Sequence, residues 1–234
     1  MPGQLRRILK KWFWNTYDYL GTLMLINILW VLCALPVITL PVAMAGLFRV
    51  TAGIAGYRET GFRDFFSGMR HDVWPMLRLC GVYAAAWGLL GVNILFYINL
   101  MASWPWTGAV LSGLMGWIAV FTALTGIYSF PLLMQTDAPV RRVLRDSMLL
   151  VLDNLRTSVG LFLMGTGVLA VSAFTGAGLV FGGVSVTGVL WSTGLREVRK
   201  RYDDASSDET EDRTPDAEEP RTWRDLFRPW EYPR

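Results

Sequence analysis

Few residues in this chain could do chemistry, and their spacing limits what that chemistry can be. His71 is the one histidine and stands in Arg70-His71-Asp72. A histidine between a guanidinium and a carboxylate can hand on protons. The same trio is also what a solvated loop at a membrane face carries, and that is the reading adopted. Two cysteines, Cys33 and Cys80, lie in or beside apolar runs and read as small buried hydrophobes rather than a disulfide framework. Gly165-Thr166-Gly167-Val168-Leu169-Ala170 matches a dinucleotide fingerprint in letters only. It lacks the preceding strand, and no acid follows before 195. No P-loop, H-E-x-x-H, paired-cysteine motif or G-x-S-x-G turn occurs. Catalysis, metal ligation and cofactor binding therefore have no positive support.

Two features remain. Arg49 is an ionisable residue inside an apolar run, where such groups face a bundle interior or a water-filled cavity, or else snorkel to the interface. Pro36 and Pro41 bracket Thr39 in Leu35-Pro36-Val37-Ile38-Thr39-Leu40-Pro41. Broken helices present backbone groups to substrates in transporters, and Ser129-Phe130-Pro131 would be the counterpart break. The simpler reading, favoured here, is a tight hairpin in which proline ends one helix and begins the next.

The elements that must hold these residues are set by composition. The 234 residues are 53% hydrophobic and only 18% charged, with 11 tryptophans. The charges are clumped, and the gaps between clumps are apolar runs long enough to cross a bilayer, which takes about 20 residues. Backbone groups in lipid must bond internally, so the fold expected is an all-α transmembrane bundle.

Residues 1–19 (Arg6, Arg7, Lys10, Lys11, then Trp12, Phe13, Trp14) predict an interfacial helix. They also imitate a cleavable signal, but the basic region is too aromatic and Pro36 and Pro41 crowd the cleavage site. Spans are expected at 20–35, 41–57, 75–101, 106–134, 158–174 and 177–195, the last pair separated at Thr175-Gly176-Ala177-Gly178. Gly178 to Gly182 also fits G-x-x-x-G, a weak pointer to close packing. The 41–57 span is short, and the cost of Arg49 roughly cancels its apolar gain. It should insert as a hairpin with its predecessor or against other helices, helped by Ala45, Ala52, Gly53 and Gly56. Asn27, Asn93 and Asn99 are expected to make helix-to-helix hydrogen bonds. Two amphipathic segments interrupt the spans. Residues 58–74 carry Phe62, Asp64, Phe65, Phe66, Arg70, Asp72 and Trp74, and 135–157 carry Arg141, Arg142 and Arg145 beside Met148, Leu149 and Leu152. An amphipathic segment thus precedes each hairpin, a pattern too faint to define a repeat.

Positive charge orients the chain. The N-terminus, 58–78 and 135–157 hold four Lys or Arg each, the C-terminal part nine, and with Arg49 these are all 22. The turns at 36–40, 102–105 and 175–176 hold none. Six crossings with both termini cytoplasmic satisfy this; five crossings plus a re-entrant 36–57 is the alternative. The basic residues are explained by topology and anionic headgroups rather than nucleic acid. From 203 the chain turns acidic, with nine of the 19 acidic residues between Asp203 and Glu219, and is expected to be disordered.

Asn27-Ile28-Leu29-Trp30, Leu35-Pro36-Val37-Ile38-Thr39, Pro41, Ala45-Gly46-Leu47 and the later Asp64-Phe65-Phe66 resemble the signature of YesL-like bacterial integral membrane proteins. The resemblance covers about residues 8–195. It implies a small inner-membrane protein of unknown activity, accessory to or regulating a carbohydrate importer of the ABC type, and supplies no catalytic residues. Arg49 and the acidic tail depart from the pattern. Expected partners are membrane lipids and a transporter complex or a second copy of the chain. The residues singled out are Pro36, Thr39, Pro41, Arg49, Asp64, Arg70 and Asp72. A small transporter or channel subunit, with its site near the proline break and Arg49, is the alternative.

Overall fold

A computed structural model describes residues 2–136 and 138–207. Among the described residues there is helix and no strand. The amphipathic start is α1 (Pro2–Asp18), separated by Tyr19 from α2 (Leu20–Ala34). A 3-10 turn at Val37–Thr39 leads into α3 (Leu40–Ala55), with Pro41 in its first turn. This is the tight-hairpin reading of the proline pair. Next come α4 (Phe62–His71), α5 (Val73–Leu100) and α6 (Pro105–Gln135). Then follow α7 (Val140–Asp153), α8 (Leu155–Thr175), α9 (Ala177–Phe181) and α10 (Gly183–Ser207). Helix α6 runs unbroken through Pro131, so the counterpart break expected at Ser129-Phe130-Pro131 is not formed. Residues 203–207, expected to be disordered, are helical; the rest of the acidic tail lies outside the described residues.

The backbone repeats where the sequence pattern was faint. Each of three units has an amphipathic helix, a single-residue break, an apolar helix, a turn and a returning helix. The breaks share one conformation: Tyr19 at φ −109°, ψ 19°, Asp72 at −101°, 11°, and Asn154 at −120°, 41°. All lie near the sparsely allowed bridge region, which interrupts a helix without a long loop. At Tyr19 the chain bends by 82°.

Three helices, α5, α6 and α8, are long and apolar enough to cross a membrane, and the bent α1–α2 pair makes a fourth candidate. Helix α3 is apolar but only 16 residues long. It sits at the centre, burying Leu47, Phe48, Val50, Thr51 and Ile54. Helix α10 packs on it: Thr51 Oγ1 accepts from Ser192 Oγ at 3.3 Å, and Gly188 lies against Thr51 and Leu47. One aromatic layer ties four helices together. Ring centroids are 5.3 Å apart for Tyr83–Phe130, 5.5 Å for Phe130–Phe48 and 6.4 Å for Phe48–Trp191. The three pairs are stacked, at interplanar angles of 29°, 14° and 11°. Gly165 of α8 closes the layer, because a Cβ there would lie 2.7 Å from Trp191 Nε1. That packing role is what the dinucleotide-like letters hold.

The last expected span is broken at Gly182, leaving carbonyls of α9 and amides of α10 without helical partners. Asn27, fully buried on α2, satisfies both. Its Nδ2 donates to the carbonyls of Leu179 (2.6 Å) and Val180 (2.8 Å), and its Oδ1 accepts from the Ser185 amide (3.0 Å). Ser185 Oγ adds a bond to the Leu23 carbonyl at 3.0 Å. Asn93 and Asn99 do not bridge helices as expected; each bonds a carbonyl four residues back, Leu89 or Leu95, in its own helix.

Candidate functional site at the basic end

The site is built on the contact between α3 and α4. Gly46 and Gly68 make that contact possible. A Cβ at Gly46 would stand 2.7 Å from the Phe65 carbonyl oxygen, and one at Gly68 would stand 2.9 Å from that of Ala45. Backbones this close press Arg49 against Gly68 and carry its guanidinium to the end of α4. There Arg49 Nη1 donates to Asp72 Oδ2 at 2.5 Å. Asp72 is the break residue between α4 and α5, so the pair holds that junction. Both side chains are partly exposed, 42% for Arg49 and 24% for Asp72. Arg49 is therefore not sealed in the interior; it pairs with a carboxylate at the surface of the bundle.

Asp64 plays a local part: its Oδ2 accepts from the Gly61 amide at 3.0 Å and caps α4. Arg70 and His71 are exposed at the end of the same helix, so Arg70-His71-Asp72 is a surface turn. Pro36, Thr39 and Pro41 are not part of this site. They lie at the other end of α3, about ten residues or roughly 15 Å along the helix from Arg49. The Thr39 hydroxyl is engaged by the Cys33 and Pro36 carbonyls of its own turn.

Sequence reasoning did not find three further contacts at the basic end. Arg196 of α10 donates to the Ala55 carbonyl, one of the unsatisfied groups ending α3, and its guanidinium carbon lies 4.8 Å over the Tyr57 ring. Tyr57 is the one described non-glycine residue with positive φ, at 55°, in the position where a helix usually ends on glycine. The Arg58 amide closes the motif on the Gly53 carbonyl at 3.0 Å. Lys11 of α1 pairs with Glu197 at 2.9 Å. The only sequence signal was the return of charge after the uncharged first half of α10.

Outside these contacts, α4 and α7 each divide into two faces. Helix α4 buries Phe65 and Gly68 and exposes Phe62 (47%) and Phe66 (53%), with Trp74 (69%) just beyond it. Helix α7 buries Val143, Ser147 and Val151 and exposes Met148, Leu149 and Leu152 together with Arg141, Arg142 and Arg145. Asp146 partly offsets that charge, 3.7 Å from Arg142 and 3.6 Å from Arg145. Among the described residues no group of three His, Cys, Asp or Glu side chains could hold a metal.

The described residues are helical, with several helices long and apolar enough for a multi-pass membrane protein and a basic, amphipathic end. Residues 23–94 match the family described as "Protein of unknown function, DUF624", which is the YesL-like family. The match runs from α2 into α5 and includes the Arg49–Asp72 corner. No curated protein and no solved structure matches the chain.

Proposed function

We propose that this chain is a non-enzymatic accessory protein of the bacterial inner membrane that docks onto another membrane complex through α4 and α7. The carrying observation is that both helices leave an apolar and arginine-bearing face exposed after burying the other in the bundle. Aromatic residues and arginine together are what interface centres favour. A carbohydrate importer of the ABC type is the complex that the family resemblance implies, with control of its assembly or activity as the role.

In this reading α2, α3, α5, α6, α8 and α10 cross the membrane and the basic end is cytoplasmic. Helix α3 is short and bears Arg49, so it enters with α2 and is shielded by its neighbours. Helix α10 tolerates Ser185, Thr187, Ser192 and Thr193 because all four are buried against protein rather than lipid. A small transporter or channel subunit is the alternative. It needs the proline turn and Arg49 free for a substrate, whereas Thr39, before the start of α3, and Arg49, past its middle, are each engaged.

The test is isolation of the tagged protein from its native membrane in mild detergent, with identification of what co-purifies. Stoichiometric recovery of a transporter, lost in a Phe62→Ser/Phe66→Ser or Leu149→Ser/Leu152→Ser variant, is the expected result. Recovery of the chain alone, or as copies of itself, would overturn the proposal.

A further inference from the structure

A cleft of about 200 Å³ opens between α5, α6, α8 and α10. Helix α5 lines it with Tyr83 and Trp87, α6 with Thr122, Gly126 and Phe130, α8 with Phe162 and α10 with Trp191. Tyr83, Phe130 and Trp191 bring three of the four rings of the aromatic layer to it. Trp87, at 45%, is the exposed large ring of its lining. Two of the polar groups at the cleft have partners: Tyr83 and Ser129 hydroxyls bond each other at 2.9 Å, and Thr122 bonds the Ile118 carbonyl at 2.8 Å. Trp191 Nε1, a buried donor without a hydrogen-bond partner, lies against α8 at Gly165.

We infer that this cleft is a binding site for one acyl chain of a bilayer phospholipid. Three observations converge on that occupant. First, Tyr83, Trp87, Thr122, Gly126 and Phe130 lie in the stretch from Leu79 to Thr136, which carries no charge, so in a membrane this wall of the cleft is set in hydrocarbon. Second, its walls are ring faces and methyl groups. A monosaccharide of similar size would bring several hydroxyls with at most the Trp191 indole N–H to meet them, and leaving such groups unpaired is costly. Third, taking a methylene as close in volume to a water's share of roughly 30 Å³, the cleft accepts on the order of six methylenes of a single chain. A protein helix is about 10 Å across and cannot enter it. Since lipid tails are as apolar as the cleft, selectivity comes from ring-to-chain packing rather than from a hydrophobic gain. The chain is accordingly held most visibly when the rest of the bilayer is replaced by detergent.

The experiment is to reconstitute the full chain in phosphatidylethanolamine–phosphatidylglycerol vesicles containing a phospholipid with a mid-chain diazirine. The protein is then extracted into mild detergent, irradiated and its crosslinked peptides mapped, with native mass spectrometry counting retained lipid. One lipid per chain should remain, crosslinked within 83–87, 122–130, 162 or 191. Gly126→Leu places a side chain into the cleft. The position accepts a Cβ, since the nearest Tyr83 ring atom would be 3.6 Å away. Retention should fall about tenfold. Gly113→Leu, on α6 where a Cβ meets nothing within 4 Å, should leave retention unchanged. Helix content and melting of both variants establish that they fold; if Gly126→Leu does not, Thr122→Leu replaces it. Absence of retained lipid in the wild type, or equal retention in the cleft-filling variant, would overturn the assignment. So would crosslinks spread over the outer faces of α5 and α6, or displacement of the lipid by glucose.

Discussion

Removal of the Asn27 side chain tests the account of the broken last span. Asn27→Ala deletes three hydrogen bonds of a buried side chain at once, one buried and two part-buried, leaving two carbonyls of α9 and one amide of α10 without that partner. In water-soluble cores each such group costs about 1–3 kcal/mol. In membrane bundles bonds of this kind average roughly 0.6 kcal/mol and reach about 1.7, because the unfolded chain finds partners in the bilayer. Three bonds at the membrane scale give about 2 kcal/mol as the expected loss, with about 5 as the ceiling. The assay is reversible unfolding in mixed micelles of dodecyl sulfate and a mild detergent, followed by far-ultraviolet circular dichroism. Asn93→Ala and Asn99→Ala are the controls. Their amides bond only carbonyls of α5 itself at exposed positions, so each should cost less than about 0.5 kcal/mol. If Asn27→Ala behaves like those controls, the break at Gly182 is held by something other than Asn27 and the reasoning fails.

Other substitutions separate packing from charge. Gly46→Ala and Gly68→Ala each drive a methyl into a facing backbone carbonyl, and each should cost about 1–3 kcal/mol in the same unfolding assay. Arg49→Ala removes a partly exposed ion pair and should cost no more than about 1 kcal/mol, an effect that shrinks in high salt. A collapse of the fold in Arg49→Ala would instead mark a buried role. Arg196→Ala uncaps α3 and frees the Tyr57 ring. A loss of about 2 kcal/mol is expected, and Arg196→Lys should recover less than half because an ammonium cannot stack and donate as a planar guanidinium does.

Much of the helical layout was legible because the chain punctuates itself. Charge clusters, the Pro36/Pro41 pair, the turn at 102–105 and Gly176 mark ends that α2, α3, α5, α6 and α8 reproduce within a few residues. Gly176 takes φ 63°, which explains a turn there. The shortness of α3 and its need for neighbours followed from setting Arg49 against the apolar residues of its span. Contacts between distant segments were not legible. Arg49 and Asp72 were both singled out, yet nothing in a one-dimensional pattern pairs residues 23 apart across two helix ends. Asn27 was expected to bond another helix, but the break it serves was hidden in the apolar run 177–195. Gly178 and Gly182 promised close packing of a continuous span. Gly178 does press on Ser172 of α8, while Gly182 ends α9 instead of continuing it. Arg196 read as one of many topogenic charges, since its targets, a carbonyl and a ring, leave no charge complement in the sequence.

The unequal lengths of the hairpins have a mechanical consequence. Helices α2 and α3 have 15 and 16 residues, whereas α5 and α6 have 28 and 31. At 1.5 Å per residue these are about 22–24 Å against about 42–46 Å, on either side of a hydrocarbon thickness of roughly 30 Å. In the six-crossing arrangement proposed above, a bilayer would pinch beside α2 and α3 and swell, or tilt the long pair, beside α5 and α6. Such a protein would carry a thickness difference between its two hairpins. A neighbour with the opposite profile would relieve elastic strain by lying alongside, so the membrane itself would help choose which flank meets another protein.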